Sequence, residues 1–233
     1  QQGRAGSIEQ QLMAIIGTRK ASKGKTFLEV TNSQGLVPSV EHTQKLIAEI
    51  CQHDHITLPE ESLPIADSRS FWTIDYGLTR FVDLFTSRQL LALLTFTVKV
   101  RYGYNIMLEE GIEPERAKAI TAYLGLMVDR LAENLSSLCR WNAIGGKLQG
   151  TFGRQGLPMV WDFAETNPFG GSVGDAMSIL SNISNILEYL TCINRPSRVI
   201  LRTSATSLPI ANNSVDAVIT DPPYYDNIPY ADL

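Results

Sequence analysis

The chain has 233 residues, 44% hydrophobic and 19% charged, enough for one large globular domain or two small ones with a substantial core. No apolar run reaches the roughly 18 residues of a membrane span, and the polar opening QQGRAGSIEQQ is no signal peptide, so a cytoplasmic chain with no membrane partner is expected. A net charge of −4 argues against this chain binding nucleic acid on its own.

QLMAIIG and KTFLEVTN are short β-prone runs separated by TRKASKG, whose Gly24 suits a turn, so a hairpin is expected there. That turn region, RKASKGK, gathers Arg19, Lys20, Lys23 and Lys25 without an acid, a solvated cluster able to touch phosphate. SVEHTQKLIAEICQ places Val40, Leu46, Ile47 and Ile50 at helical spacing. Residues 53 to 72 lose all periodicity and contain Pro59 and Pro64, which reads as a loop.

Two long helices follow. The first opens at Thr86 with Gln89 three residues on, a capping-box pattern, and Gly103 is the expected stop. The second opens at Pro114, a favoured first helical position. Its stripe runs Ala117, Ile120, Leu124, Met127, Leu131, Leu135 and Leu138, predicting about 25 residues of helix, nearly 40 Å long. The two should pack antiparallel.

Downstream the texture becomes α/β. LPMVWDF, SRVILRTSAT and VDAVITDPPY are strand-length apolar runs, and DAMSILSNISNILEYL carries Met177, Leu180, Ile183, Leu187 and Leu190 on one helical face. Strands alternating with helices predict a parallel sheet whose ligand site lies at the strands' carboxyl ends. Asp221 falls at such an end. The expected organisation is a small α/β segment over 1–75, a helical insertion over 76–150, and over 151–233 part of a Rossmann-like sheet. The chain starts without Met and stops soon after Asp221, so it reads as an internal piece of a longer protein.

The stretch Asp221-Pro222-Pro223-Tyr224 suits methylation of a nucleobase amine. The lone pair of that nitrogen is delocalised into the ring, and two acceptors on its N–H groups favour a pyramidal, reactive geometry. Asp221 supplies a carboxylate acceptor. Pro222 supplies a carbonyl on a backbone of fixed φ. Pro223 stiffens the loop, as sub-ångström placement demands, and Tyr224 offers a face on which an extruded base stacks. Tyr225, Asn227 and Tyr230 are weaker candidates for the base pocket, and Trp161 and Asp162 weaker still.

DPPY at a strand end resembles the catalytic motif of amino-group methyltransferases that use S-adenosylmethionine. SATSLPIANNSVDAVITDPPYYDNIPYADL, with DLFTSRQLLALLTF, NLSSLCRWN and FGRQGLPMVWDFAETNPF, is similar to a family of large adenine-specific DNA methylases that contain a zinc ribbon. The resemblance covers most of the chain. It implies a class I methyltransferase fold, DNA as partner and S-adenosylmethionine as cofactor. It further implies that Asp221 and Pro222 hold the target amine, that Tyr224 stacks on the base, and that Ser204, Ala205 and Thr206 lie near the cofactor's adenine.

The family's cofactor loop, Asp-Pro-Phe-x-Gly-x-Gly, has only a near match here in NPFGGSVG, residues 167–174. Asn167 replaces the acid and the glycines are displaced, so a glycine-rich connection with a helix cap is the expected role, and the remaining parts of the site are expected elsewhere in a longer chain. No zinc ribbon is expected either: Cys51, His53 and His55 in CQHDH lack a usual ligand spacing, and Cys139 and Cys192 read as small apolar residues. Two rival readings are an RNA guanine-N2 methyltransferase, disfavoured by Tyr225 where such enzymes continue with Gly, and a non-catalytic DNA-binding or assembly module of the same fold.

Overall fold

The computed structural model describes residues 8–18, 24–32, 35–64, 70–153, 156–171, 174–192, 200–224 and 230. Among these the chain is a mixture of helices and short antiparallel strands. The strands β1 (Ala14–Thr18) and β2 (Lys25–Glu29) pair antiparallel from Ala14 opposite Glu29 to Thr18 opposite Lys25, which is the expected hairpin.

Helix α1 (Val40–Asp54) starts at Ser39, whose hydroxyl accepts from the amide of His42 at 3.2 Å, and ends at His55 in the left-handed region, φ 50°. Helix α2 (Ser87–Glu109) has the expected capping box: the backbone amide of Gln89 donates to the Thr86 hydroxyl, and the backbone amide of Thr86 donates to the Gln89 side-chain oxygen, Oε1. It does not stop at Gly103, which is helical. A lone glycine costs a helix only about 1 kcal/mol, and the turn comes instead at Gly111, φ 80°. Helix α3 (Pro114–Asn134) opens on Glu113, whose carboxylate accepts from the amides of Glu115 and Arg116. It is shorter than the stripe implies. Leu135 and Leu138 are buried, but they sit in the turn after the helix, so apolar spacing outlasted helical geometry.

Leu93 near the start of α2 shares a core cluster with Leu131 near the end of α3 and Leu135 just after it, so the two helices run antiparallel. Ala176 and Ile179 of α4 (Ala176–Thr191) join the same core. A second core holds Leu63, Phe71, Leu84, Leu138 and Leu157, and a third holds Ile47, Leu90 and Leu94, with Phe85 packed against all three. The region expected to be a bare loop, 53–72, therefore inserts Leu63 and Phe71 into the core, each 1% exposed.

A hairpin not expected inside the helical segment follows α3: β3 (Arg140–Asn142) and β4 (Lys147–Gln149) pair antiparallel. A polar knot anchors its base. The hydroxyls of Ser136 and Thr151 lie 2.7 Å apart, Thr151 donates to the carbonyl of Glu133 at 2.8 Å, and the Cys139 thiol donates to that carbonyl at 3.3 Å. All three side chains are buried, and this pairing is what makes their burial tolerable.

The three strands expected downstream are not formed among the described residues. Residues 157–163 make one isolated bridge, between Phe163 and Arg140. Residues 200–224 are irregular and exposed throughout. An extended segment becomes a strand only when a neighbour takes up its N–H and C=O groups, and no described segment lies in that position. No parallel pair occurs among the described residues.

Candidate functional site

The sharpest motif of the sequence sits in a shallow cleft of about 300 Å³ lined by Asp221, Pro222, Pro223, Tyr224 and Tyr230. The amide of Tyr224 donates to the hydroxyl of Tyr230 at 3.2 Å. That bond folds residue 230 back on the motif, so Tyr230, one of the weaker candidates, stands beside the principal ones. Both rings remain open, Tyr224 58% and Tyr230 54% exposed, and each can present a face to a planar ligand. The two prolines fix the backbone between the carboxylate and the first ring. Tyr225 and Asn227 lie outside the described residues.

Ser204, Ala205 and Thr206 form a separate exposed turn. The hydroxyls of Ser204 and Thr206 are 2.8 Å apart, the amide of Thr206 donates to the Ser204 hydroxyl at 3.3 Å, and the amide of Ser207 donates to the Ser204 carbonyl at 3.1 Å. The turn offers two hydroxyls at its surface, a donor set suited to polar contacts with a small molecule.

The glycine-rich loop before α4 is organised around the helix start. Asp175 is 3% exposed. One carboxylate oxygen accepts from the amide of Ser178 and the other from the amide of Gly171, both at 2.8 Å. The amide of Gly174 donates to the Ser178 hydroxyl, and the Asn167 side chain accepts from the amide of Phe169. Gly171 and Gly174 both have φ in the left-handed region, 68° and 94°. The described amides of this loop are thus committed to its own turns and to the cap of α4.

Trp161 is 61% exposed and meets Tyr76 edge to face, with ring centroids 5.2 Å apart; Asp162 is exposed beside it. Neither belongs to the Asp221 cleft. Cys51, His53 and His55 do not converge: His53 Nδ1 lies 3.2 Å from Asp54, and His55 is the helix cap. No group of three His, Cys, Asp or Glu able to hold a metal occurs among the described residues.

A second cleft, about 630 Å³, lies between α1 and the start of α2, lined by Ile47, Cys51, Leu58, Phe85 and Leu90. Burial raises the pKa of the Cys51 thiol, which works against a thiolate nucleophile. The lining of this cleft mixes apolar side chains with Gln44, Thr57, Glu60 and Ser87 and holds no carboxylate beside an open aromatic ring. One feature the sequence reading passed over is the β3–β4 hairpin, half-buried along its strands with an exposed tip, whose signal is the Ala143-Ile144-Gly145-Gly146 turn between RWN and KLQ. No protein-family model, curated protein or solved structure matches the chain.

Proposed function

We propose that the chain belongs to an S-adenosylmethionine-dependent methyltransferase acting on the exocyclic N6 of adenine in DNA. The observation that carries this reading is the cleft in which a carboxylate, two prolines and two open tyrosine rings stand together. Asp221 accepts one N–H of the target amine, the Pro222 carbonyl accepts the other, and Tyr224 stacks on the base, with Tyr230 closing the pocket. An extruded base costs a few kcal/mol of unstacking, and stacking on an aromatic ring offsets part of it.

The cofactor supplies the methyl group. The hydroxyls of Ser204 and Thr206 fit polar contacts to its adenosyl portion, while the amides of Phe169, Gly170, Gly171 and Gly174, held by the loop's own turns and the start of α4, are poorly suited to it. The reading carries with it a Rossmann-like sheet to which residues 157–163, 200–203 and 215–221 contribute strands. Ile200, Val218 and Ile219 are 96%, 74% and 95% exposed. Val218 and Ile219 are neighbours, so a strand here would be apolar on both faces, as parallel strands covered by helices on both sides are.

The test is product identity. Duplex DNA incubated with the full-length protein and S-adenosylmethionine should yield N6-methyladenine by nucleoside mass spectrometry. Methylation confined to guanine in RNA would transfer the assignment to the guanine-N2 class, and no methylated base would leave a binding or assembly role.

A further inference from the structure

The charge of this chain is unevenly distributed. Between Gln10 and Leu28, and again between Asn134 and Trp161, the sequence contains seven Lys and Arg and no Asp or Glu. The other residues hold 13 Lys and Arg against 24 acids, so the net charge of −4 hides two cationic stretches. Those stretches encode the two hairpins, and the fold brings them together: the ammonium of Lys25 on β2 lies over the ring of Trp141 on β3, 4.8 Å from its centre.

The register then places positive charge on both faces of the β3–β4 ribbon. Trp141 opposite Leu148 forms the face that Lys25 covers. Arg140 and Lys147 belong to the alternate positions and so to the other face. No carboxylate lies within ion-pair distance of Lys25, Arg140 or Lys147 among the described residues. At the tip, Ile144 is fully exposed and Gly146 takes φ 57°, which gives a narrow end with one apolar side chain. The tip is unpaired with any other described element.

These features match one partner. The major groove of B-form DNA is about 12 Å wide and 8.5 Å deep and admits a two-stranded β-ribbon. Three residues of strand extend about 10 Å, comparable to that depth. A ribbon in the groove has a phosphate strand on each side, so cations on both faces each meet one. An apolar tip meets the thymine methyl at the groove floor.

We infer that the β3–β4 hairpin is a DNA-binding ribbon that enters the major groove, gripping the flanking phosphates through Lys25 on one face and Lys147 and Arg140 on the other. This rests on the DNA reading above and supplies that site with its duplex-holding surface. The role is positioning and leaves the chemistry to Asp221.

The experiment is a fluorescence-anisotropy titration of a labelled mixed-sequence DNA duplex with the 233-residue chain, repeated from low to moderate NaCl. Each phosphate neutralised contributes about 0.9 to the slope of log affinity against log salt. The double variant Lys25→Gln/Lys147→Gln should lower that slope by about 1.8 and weaken binding at least tenfold at low salt. Lys45→Gln/Lys118→Gln, which changes net charge equally on exposed helix positions, should leave the slope unchanged. Circular dichroism shows whether each variant is folded, and a variant with only one hairpin lysine replaced should lose half the slope change. Equal slopes for the two double variants would overturn the inference, as would no duplex binding at low salt or tighter binding to RNA than to duplex DNA. None of these results alters the N6-methyladenine readout of the full-length protein, so the two readings fail separately.

Discussion

Replacing Asp175 by Ala tests how the glycine-rich segment before α4 is built. The carboxylate is 3% exposed and accepts two backbone amides at 2.8 Å, from Ser178 in the first turn of α4 and from Gly171 in the loop. Loss of a helix N-cap costs about 0.5–2 kcal/mol. The Gly171 amide is a charge-assisted donor, a class of bond contributing about 1.5–3 kcal/mol. The two terms overlap because they share one side chain, so we expect a loss of about 2–4 kcal/mol. With a urea slope of about 2–3 kcal/mol per molar for a chain of this size, the midpoint should fall by about 1–2 M with the slope unchanged. Asp175→Asn keeps a capping oxygen but cannot serve both amides, and should lose about half as much. A midpoint for Asp175→Ala within about 0.2 M of the parent, corresponding to about 0.5 kcal/mol, would refute this account. The loop's amides would then not depend on the cap, and residues 167–174 would again be open as a ligand loop.

Leu131, 1% exposed between α2 and α4, should cost about 2–5 kcal/mol on truncation to Ala, read as a lower urea midpoint for α-helical signal. Asp83 gives a pH dependence. Its burial alone would raise its pKa, but hydrogen bonds from the Arg80 guanidinium and from the Arg80 and Thr79 amides outweigh that and hold it below the ordinary value. A lowered folded pKa stabilises the fold above the unfolded value of about 3.9 and loses that contribution as pH falls through the folded value. The stability gap between the parent and Asp83→Asn should therefore be widest near neutrality and close below about pH 4, measured by urea denaturation across pH.

The helices were legible because their signals are local. Thr86 with Gln89 and Pro114 after Glu113 fix their starts through side chains within one turn of the helix. Their ends were less legible: Gly103 is tolerated inside α2, and the leucine stripe of α3 continues as core into a turn at Leu135 and Leu138. Segment 53–72 is largely irregular where described, as a loop should be, but its burial was not legible because Leu63 and Phe71 enter the core without periodicity, in one cluster with Leu84 and Leu157 that only the fold brings near. The β3–β4 hairpin was missed because three-residue strands carry almost no alternation. The strands expected in LPMVWDF, SRVILRTSAT and VDAVITDPPY depend on neighbours to be strands at all, so their apolar composition alone could not decide the outcome. At the candidate site the sequence singled out Asp221 and Tyr224 by their motif, while the approach of Tyr230 to the Tyr224 amide required coordinates.

The most direct test is the initial rate of methyl transfer from labelled S-adenosylmethionine to adenine N6 of duplex DNA by the full-length protein and by its Asp221→Ala form. The carboxylate is the acceptor on which the pyramidal amine depends, and loss of such a transition-state contact costs on the order of 100-fold or more. The account predicts that fall with unchanged folding and DNA affinity; an Asp221→Ala rate equal to that of the parent would contradict it.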